Sequence, residues 1–140
     1  MNVEFVDTNV LVYAYDTTTM PKHDRARTLV ERLWESGNGC LSVQVMQEFF
    51  WIATRKIPSP LPPKTVLGIL RDYSAWPVFA PSSDDVIAAG ELAASARLSY
   101  WDAMIVHAAA SLGASRLWTE DLQHDLILGA LHIENPFQDG

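Results

Sequence analysis

A chain of 140 residues, 49% hydrophobic and 19% charged, suits one globular domain over residues 1–140 and is too apolar for wholesale disorder. Its formal net charge of −7 argues against a general nucleic-acid coat protein, which would be basic, but suits a protein that gathers acids to grip cations. Cys40 has no partner for an intrachain disulfide, the N-terminus lacks the basic-then-apolar pattern of a secretory signal, and no apolar run approaches the ~18 residues of a membrane span, so a cytoplasmic protein is expected.

In chain order, Val3, Phe5 and Val6 lie in a short β-branched, apolar run that reads as a buried strand ending at Asp7. Thr8 and Asn9 are both good N-caps for a helix through Val10 to Tyr15. Asp7 is thereby set at the carboxyl end of a central strand, the edge at which open α/β sheets bind ligands. Pro21 opens an amphipathic helix whose apolar stripe is Ala26, Leu29, Val30, Leu33 and Trp34, closed by Gly37. Its outer side is basic, with Lys22, His23, Arg25, Arg27 and Arg32.

A strand over Gly39 to Ser42 leads into a helix from Val43 to Lys56. Glu48 lies on the polar arc of that helix with Gln44, Gln47 and Arg55, and Trp51 interrupts the arc, which points to a cleft wall or partner surface. The proline-rich stretch Ile57 to Pro63 can be neither helix nor central strand and reads as an ordered loop. Pro63 starts a further helix, and Pro77 to Pro81 brackets a short strand. Ser82 and Ser83 cap a helix with Asp84 and Asp85 in its first turn, and Ser99 begins another that ends at Gly113. Arg116 to Thr119 and Leu131 to Ile133 are the last strands. Short strands separated by helices indicate an α/β fold with a parallel sheet covered on both faces.

Two further acids stand out. Asp102 shares a helical face with Ile105, Val106 and Ala109, and a carboxylate on an apolar face needs partners or a metal. Asp121, like Asp7, stands just past a strand's carboxyl end, two residues after Thr119. Glu120 and Asp125 are neighbours that spacing leaves open, whereas Asp16, Asp24, Asp84 and Asp85 read as loop or helix-start residues.

In this order Asp7-Thr8-Asn9, Gln47-Glu48-Phe49, Tyr100-Trp101-Asp102-Ala103 and Thr119-Glu120-Asp121-Leu122 resemble the PIN domain, and more narrowly the VapC-type toxins of VapBC toxin–antitoxin pairs. The resemblance spans nearly the whole chain. It implies a three-layer α/β/α domain with a parallel sheet of four or five strands, and an acidic quartet of Asp7, Glu48, Asp102 and Asp121 supported by Asn9 and Thr119. It also implies Mg²⁺- or Mn²⁺-dependent cleavage of RNA, a homodimer and a VapB-type antitoxin. The aromatic content of the helices from Pro21 and Val43 (Trp34, Phe49, Phe50, Trp51) suggests where that partner's groove would form.

The chemistry is consistent without the resemblance. Hard divalent cations take oxygen ligands, and a bound one activates water and neutralises charge on a phosphoryl group. Lys22, Arg25, Arg27 and Arg55 are the candidates for steering an RNA backbone. Competing readings fare worse. A phosphoacceptor receiver domain would need a paired acid beside the phosphorylated Asp and a late lysine, and no lysine lies beyond Lys64. A haloacid-dehalogenase-type phosphatase would need Asp at position 9, which is Asn9. A catalytically silent PIN-like RNA- or protein-binding module is the remaining alternative.

Overall fold

The computed structural model describes residues 2–138. Its strands are β1 (Val3–Val6), β2 (Gly39–Ser42), β3 (Val78–Phe79), β4 (Ala114–Trp118), β5 (Ile127–Leu128) and β6 (Leu131–Glu134). Its helices are α1 (Thr8–Tyr15), α2 (Lys22–Ser36), α3 (Val43–Arg55), α4 (Pro63–Tyr73), α5 (Ser83–Ala96) and α6 (Tyr100–Ser111). The sheet order is β3-β2-β1-β4-β6-β5. The first five of these are parallel, matching the expected sheet.

The sixth, β5, is a strand that the sequence does not announce. It pairs antiparallel with β6 across a turn at Gly129, whose φ of 60° suits a residue without Cβ. Two residues are too few to carry an alternating pattern, so the pairing comes from tertiary context alone.

Burial explains the choice of centre. Phe5, Val6, Leu41, Leu117 and Ile133 are all at most 1% exposed, so β1, β2, β4 and β6 form the floor of the core. Each large side chain so buried contributes roughly 1.5–3 kcal/mol of transfer free energy. The α2 stripe of Ala26, Leu29, Val30 and Leu33 is buried as its spacing predicts. Two aromatic residues expected at a partner surface are engaged within the chain instead, although Trp34 keeps 38% of its surface exposed. Phe49 is fully buried, and Trp34 packs against the rings of Tyr73 and Trp76 at centroid distances of 5.1 and 5.0 Å. Gly39 lets Trp76 come this close to β2: a Cβ at that position would lie 2.5 Å from the indole ring.

One cap differs from expectation in a way that matters for the site. The N-cap of α1 is Asp7, not Thr8 or Asn9. Its backbone is still extended (φ −76°, ψ 163°), and its carboxylate accepts from the Thr8 N–H at 2.7 Å. The last residue of β1's run is therefore tied directly to the first turn of a helix.

Candidate active site

Asp7, Glu48, Asp102 and Asp121 all line one cleft of about 280 Å³ at the carboxyl ends of β1 and β4. Its other walls are Thr8, Asn9, Gln44, Ile52, Trp101, Ile105 and Glu120. Four separate stretches of sequence thus converge: β1 with α1 supplies Asp7 to Asn9, α3 supplies Gln44 and Glu48, α6 supplies Asp102, and the loop after β4 supplies Asp121.

Each acid is positioned by a polar neighbour. Thr119, fully buried, donates its hydroxyl to Asp7 Oδ2 at 2.7 Å and accepts the Asp121 N–H at 3.1 Å. One hydroxyl therefore sets both the strand-end acid and the loop acid. The Thr8 hydroxyl donates to Glu48 Oε1 at 2.7 Å, joining α1 to α3. The Asp102 N–H donates to the Ser99 hydroxyl at 3.1 Å, so an N-cap fixes the first turn that carries this acid. Asn9 hydrogen-bonds the Asp121 carboxylate, while its own Oδ1 is buried without a partner.

The electrostatics are those of crowded acids. Asp7 is 5% exposed, and burial, reinforced by the charges of Asp121 and Glu48, pushes its carboxyl up to about 7 against the pull of its Thr119 and Thr8 hydrogen bonds. Asp121 is raised too, first by burial and then by Asp102 and Glu120. No lysine or arginine lines the cleft. Every ionisable wall residue is an oxygen donor, and a buried carboxylate without a cation is costly. With the partnerless Asn9 oxygen, this donor set fits a hard divalent cation and not a soft one.

The two acids that spacing left open separate here. Glu120 lines the cleft, accepts from the Tyr13 hydroxyl at 3.0 Å and forms an ion pair with Lys22. Asp125 does not line it. Asp125 instead faces His132 and Glu134, the one group of three among the described residues whose ligand atoms lie within 4.8 Å of one another. That group is a paired surface network, since His132 bonds Asp125 at 2.8 Å and Arg116 bonds Glu134 at 3.1 Å.

The basic candidates scatter. Lys22 reaches the cleft rim through Glu120. Arg25 lines a different groove with Thr28, Arg32 and Trp118. Arg27 pairs with Glu31 at 3.3 Å, and Arg55 stacks on Trp51, 4.3 Å from the ring centroid. Two wall residues escaped the sequence reading. Thr8 was taken for a cap alone, and Gln44, placed on a polar helical arc, is only 8% exposed.

A mostly parallel sheet between helices, with four acids gathered beyond its strand ends, defines an α/β domain with an acidic cleft. The family model described as PIN domain matches residues 5–127, and the chain belongs to that family. No curated protein matches it. Among solved structures it is similar to the sarcin–ricin loop cleaving toxin VapC20 of Mycobacterium tuberculosis, with 19% identity, a TM-score of 0.64 and coverage of 84% of this chain and 91% of that one. It is also similar to DNA-bound VapBC from Salmonella typhimurium (22% identity, TM-score 0.66, covering 97% and 99%). A third is VapBC2 from Rickettsia felis bound to promoter DNA (20% identity, TM-score 0.63, covering 95% and 98%).

Proposed function

We propose that the chain is a divalent-metal-dependent endoribonuclease acting in the cytoplasm as the toxin of a VapBC-type pair. The observation that carries this reading is the convergence of Asp7, Glu48, Asp102 and Asp121 on one cleft that contains no lysine or arginine. PIN family membership and likeness to a toxin described as cleaving an RNA loop support it.

Asp7, Asp102, Asp121 and Glu48 would hold Mg²⁺ or Mn²⁺, with Asn9 and Thr119 in support. When bound, such an ion lowers the pKa of water and offsets negative charge on the scissile phosphate. The chain's own contribution is placement. Thr119 and the Thr8 N–H keep Asp7 facing the cleft, and the Thr8 hydroxyl does the same for Glu48. Ile52 and Ile105 supply apolar walls that limit water. Lys22, tied to the rim by Glu120, is the cation this reading assigns to the RNA backbone, with Arg25, Arg27 and Arg55 further out.

The proposed partner is a VapB-type antitoxin, bound by a homodimer. VapBC complexes among the similar structures support this. The groove suited to an antitoxin segment runs between α3 and α4, lined by Met46, Phe50, Trp51, Leu67 and Leu70, rather than between α2 and α3 as the aromatic content suggested. Trp51 is 49% exposed there, whereas Trp34, 38% exposed, already packs against Tyr73 and Trp76.

The test is direct. Purified protein incubated with structured RNA in Mg²⁺ or Mn²⁺ should leave 5′-phosphate and 3′-hydroxyl ends, and EDTA should stop the reaction. Cleavage that persists in EDTA, or none with any divalent ion, would overturn the reading and leave a PIN-like binding module.

A further inference from the structure

The cleft wall next to Asp102 carries two features that metal binding does not use. Trp101 is 63% exposed, a large indole presented at the mouth of an otherwise acidic cleft and touching only the edge of Tyr100 among rings. Beside it, Gln44 is 8% exposed, and its Oε1 is buried without a hydrogen-bond partner. Its Nε2 donates to the Trp101 carbonyl, but at 3.4 Å this is a long, weak tether. An orphaned amide oxygen is a standing cost that an incoming donor removes.

We propose that Trp101 and Gln44 form a nucleobase subsite on the cleft wall, with the base stacked on the Trp101 indole and an exocyclic amine donated to Gln44 Oε1. The inference rests on the endoribonuclease reading and adds a base preference to it. An indole face stacks on every base, so Trp101 supplies affinity without choice. Choice comes from the carboxamide. The Trp101 carbonyl engages the Nε2 side, so the end of the carboxamide left without a partner is the acceptor, and a rotation about this weak tether uncovers Oε1 to a base stacked on Trp101. Cytosine brings an amine to that acceptor where uracil brings a carbonyl oxygen, which repels it. The subsite therefore takes cytosine over uracil, two bases of equal stacking size.

The position also makes chemical sense. Trp101 precedes Asp102 in the first turn of α6, so a base held there places its own phosphate beside the acids. An acidic cleft without cationic walls has little to hold a nucleotide by its phosphate, so a stacking platform supplies orientation.

Binding of fluorescein-labelled oligo-C and oligo-U RNA, read by anisotropy with Ca²⁺ in place of Mg²⁺, tests this. Wild type should bind oligo-C more tightly than oligo-U. Trp101→Ala should weaken both by about 5- to 150-fold, and Trp101→Phe should restore most of the loss. Gln44→Met, close in volume and without polar atoms, should weaken oligo-C and relieve the repulsion of oligo-U, so that the two bind alike. A Trp101→Ala protein that binds both oligomers as wild type does, or a Gln44→Met protein that keeps the preference, would overturn the subsite. Cleavage of structured RNA in Mg²⁺ and Mn²⁺ by wild type, run in parallel, separates the two readings. Cleavage together with wild-type binding by the variants rejects the subsite alone. The expected binding pattern without any cleavage keeps the subsite and rejects the nuclease, and neither binding nor cleavage rejects both.

Discussion

Glu4 and Asp7 stand three residues apart on the same strand run, are 7% and 5% exposed, and are driven in opposite directions. Burial raises both. At Glu4 it is outweighed by a two-pronged Arg32 guanidinium (3.0 and 3.1 Å) and the Trp118 indole N–H (2.9 Å), which hold the carboxyl below its usual range. Asp7 has two neutral donors and two acidic neighbours, and its carboxyl rises to about 7. Similar exposure thus yields a carboxyl held low at one end of the strand and one pushed up at the other. The difference is a cation that the chain supplies to Glu4 and does not supply to Asp7.

The largest expected effect separates the two ends by activity. Asp121→Asn keeps the shape of the loop but removes a charge from the cleft, and RNA cleavage should fall by more than about 100-fold. Arg32→Met, at the other end, should leave the specific activity of folded protein near wild type. Cleavage assays on both variants in Mn²⁺ check this. Equal losses would erase the distinction.

Stability sharpens it next. Asp7 has a folded-state pKa of about 7 against an ordinary 3.8, so in EDTA the folded protein binds the extra proton between those values. With respect to this group the metal-free protein should be most stable below about pH 4, lose a few kcal/mol between there and about pH 7, and lose no more above it. Asp7→Asn, which can still serve as an N-cap, should abolish that loss and melt higher than wild type in EDTA at pH 8. Melting curves across pH, with and without Mn²⁺, decide it. A variant that melts lower at pH 8 would contradict the crowding described here.

Glu4 should show the reverse sign. Its pKa is lowered, so its pairing stabilises above the ordinary carboxylate range and is lost as pH falls through the folded value. Arg32 is half exposed, which lets water soften the damage, so Arg32→Met should cost about 2 kcal/mol at pH 7 and less at pH 4. Urea titrations at both pH values measure this. The smallest effect concerns Thr8→Val, which removes the hydroxyl donor from Glu48 and should weaken Mn²⁺ binding by about 10-fold, measurable by calorimetry.

Much of this contrast was legible before any coordinates. Asp7 and Asp121 follow runs whose β-branched and apolar residues announce strands, and Asp102 sits at helical spacing from Ile105, Val106 and Ala109. Glu48 was weaker: periodicity put it on a polar arc, and only the resemblance singled it out. What stayed hidden is what long-range contact decides. Arg32 finds Glu4 and Lys22 finds Glu120 at 28 and 98 positions' remove, and neither pairing leaves a mark in local pattern. The basic side of α2 thus read as a surface for RNA, although some of its cations are spent on the protein's own acids. Gln44 shows the same limit, since how deeply a helix sinks depends on neighbours that periodicity does not name.

The Thr119 hydroxyl has a mechanical consequence. It is fully buried, donates to an acid from β1 and accepts from the backbone of the loop that carries another. One hydroxyl thus ties the Asp7 carboxylate to the backbone of the loop that carries Asp121. A β-branched residue resists rotation about χ1, and the surrounding close-packed core leaves it little room to move. That tie is therefore a stiff one, and in the proposed metal site the loop that carries Asp121 would take its position relative to Asp7 from a threonine with little freedom to turn.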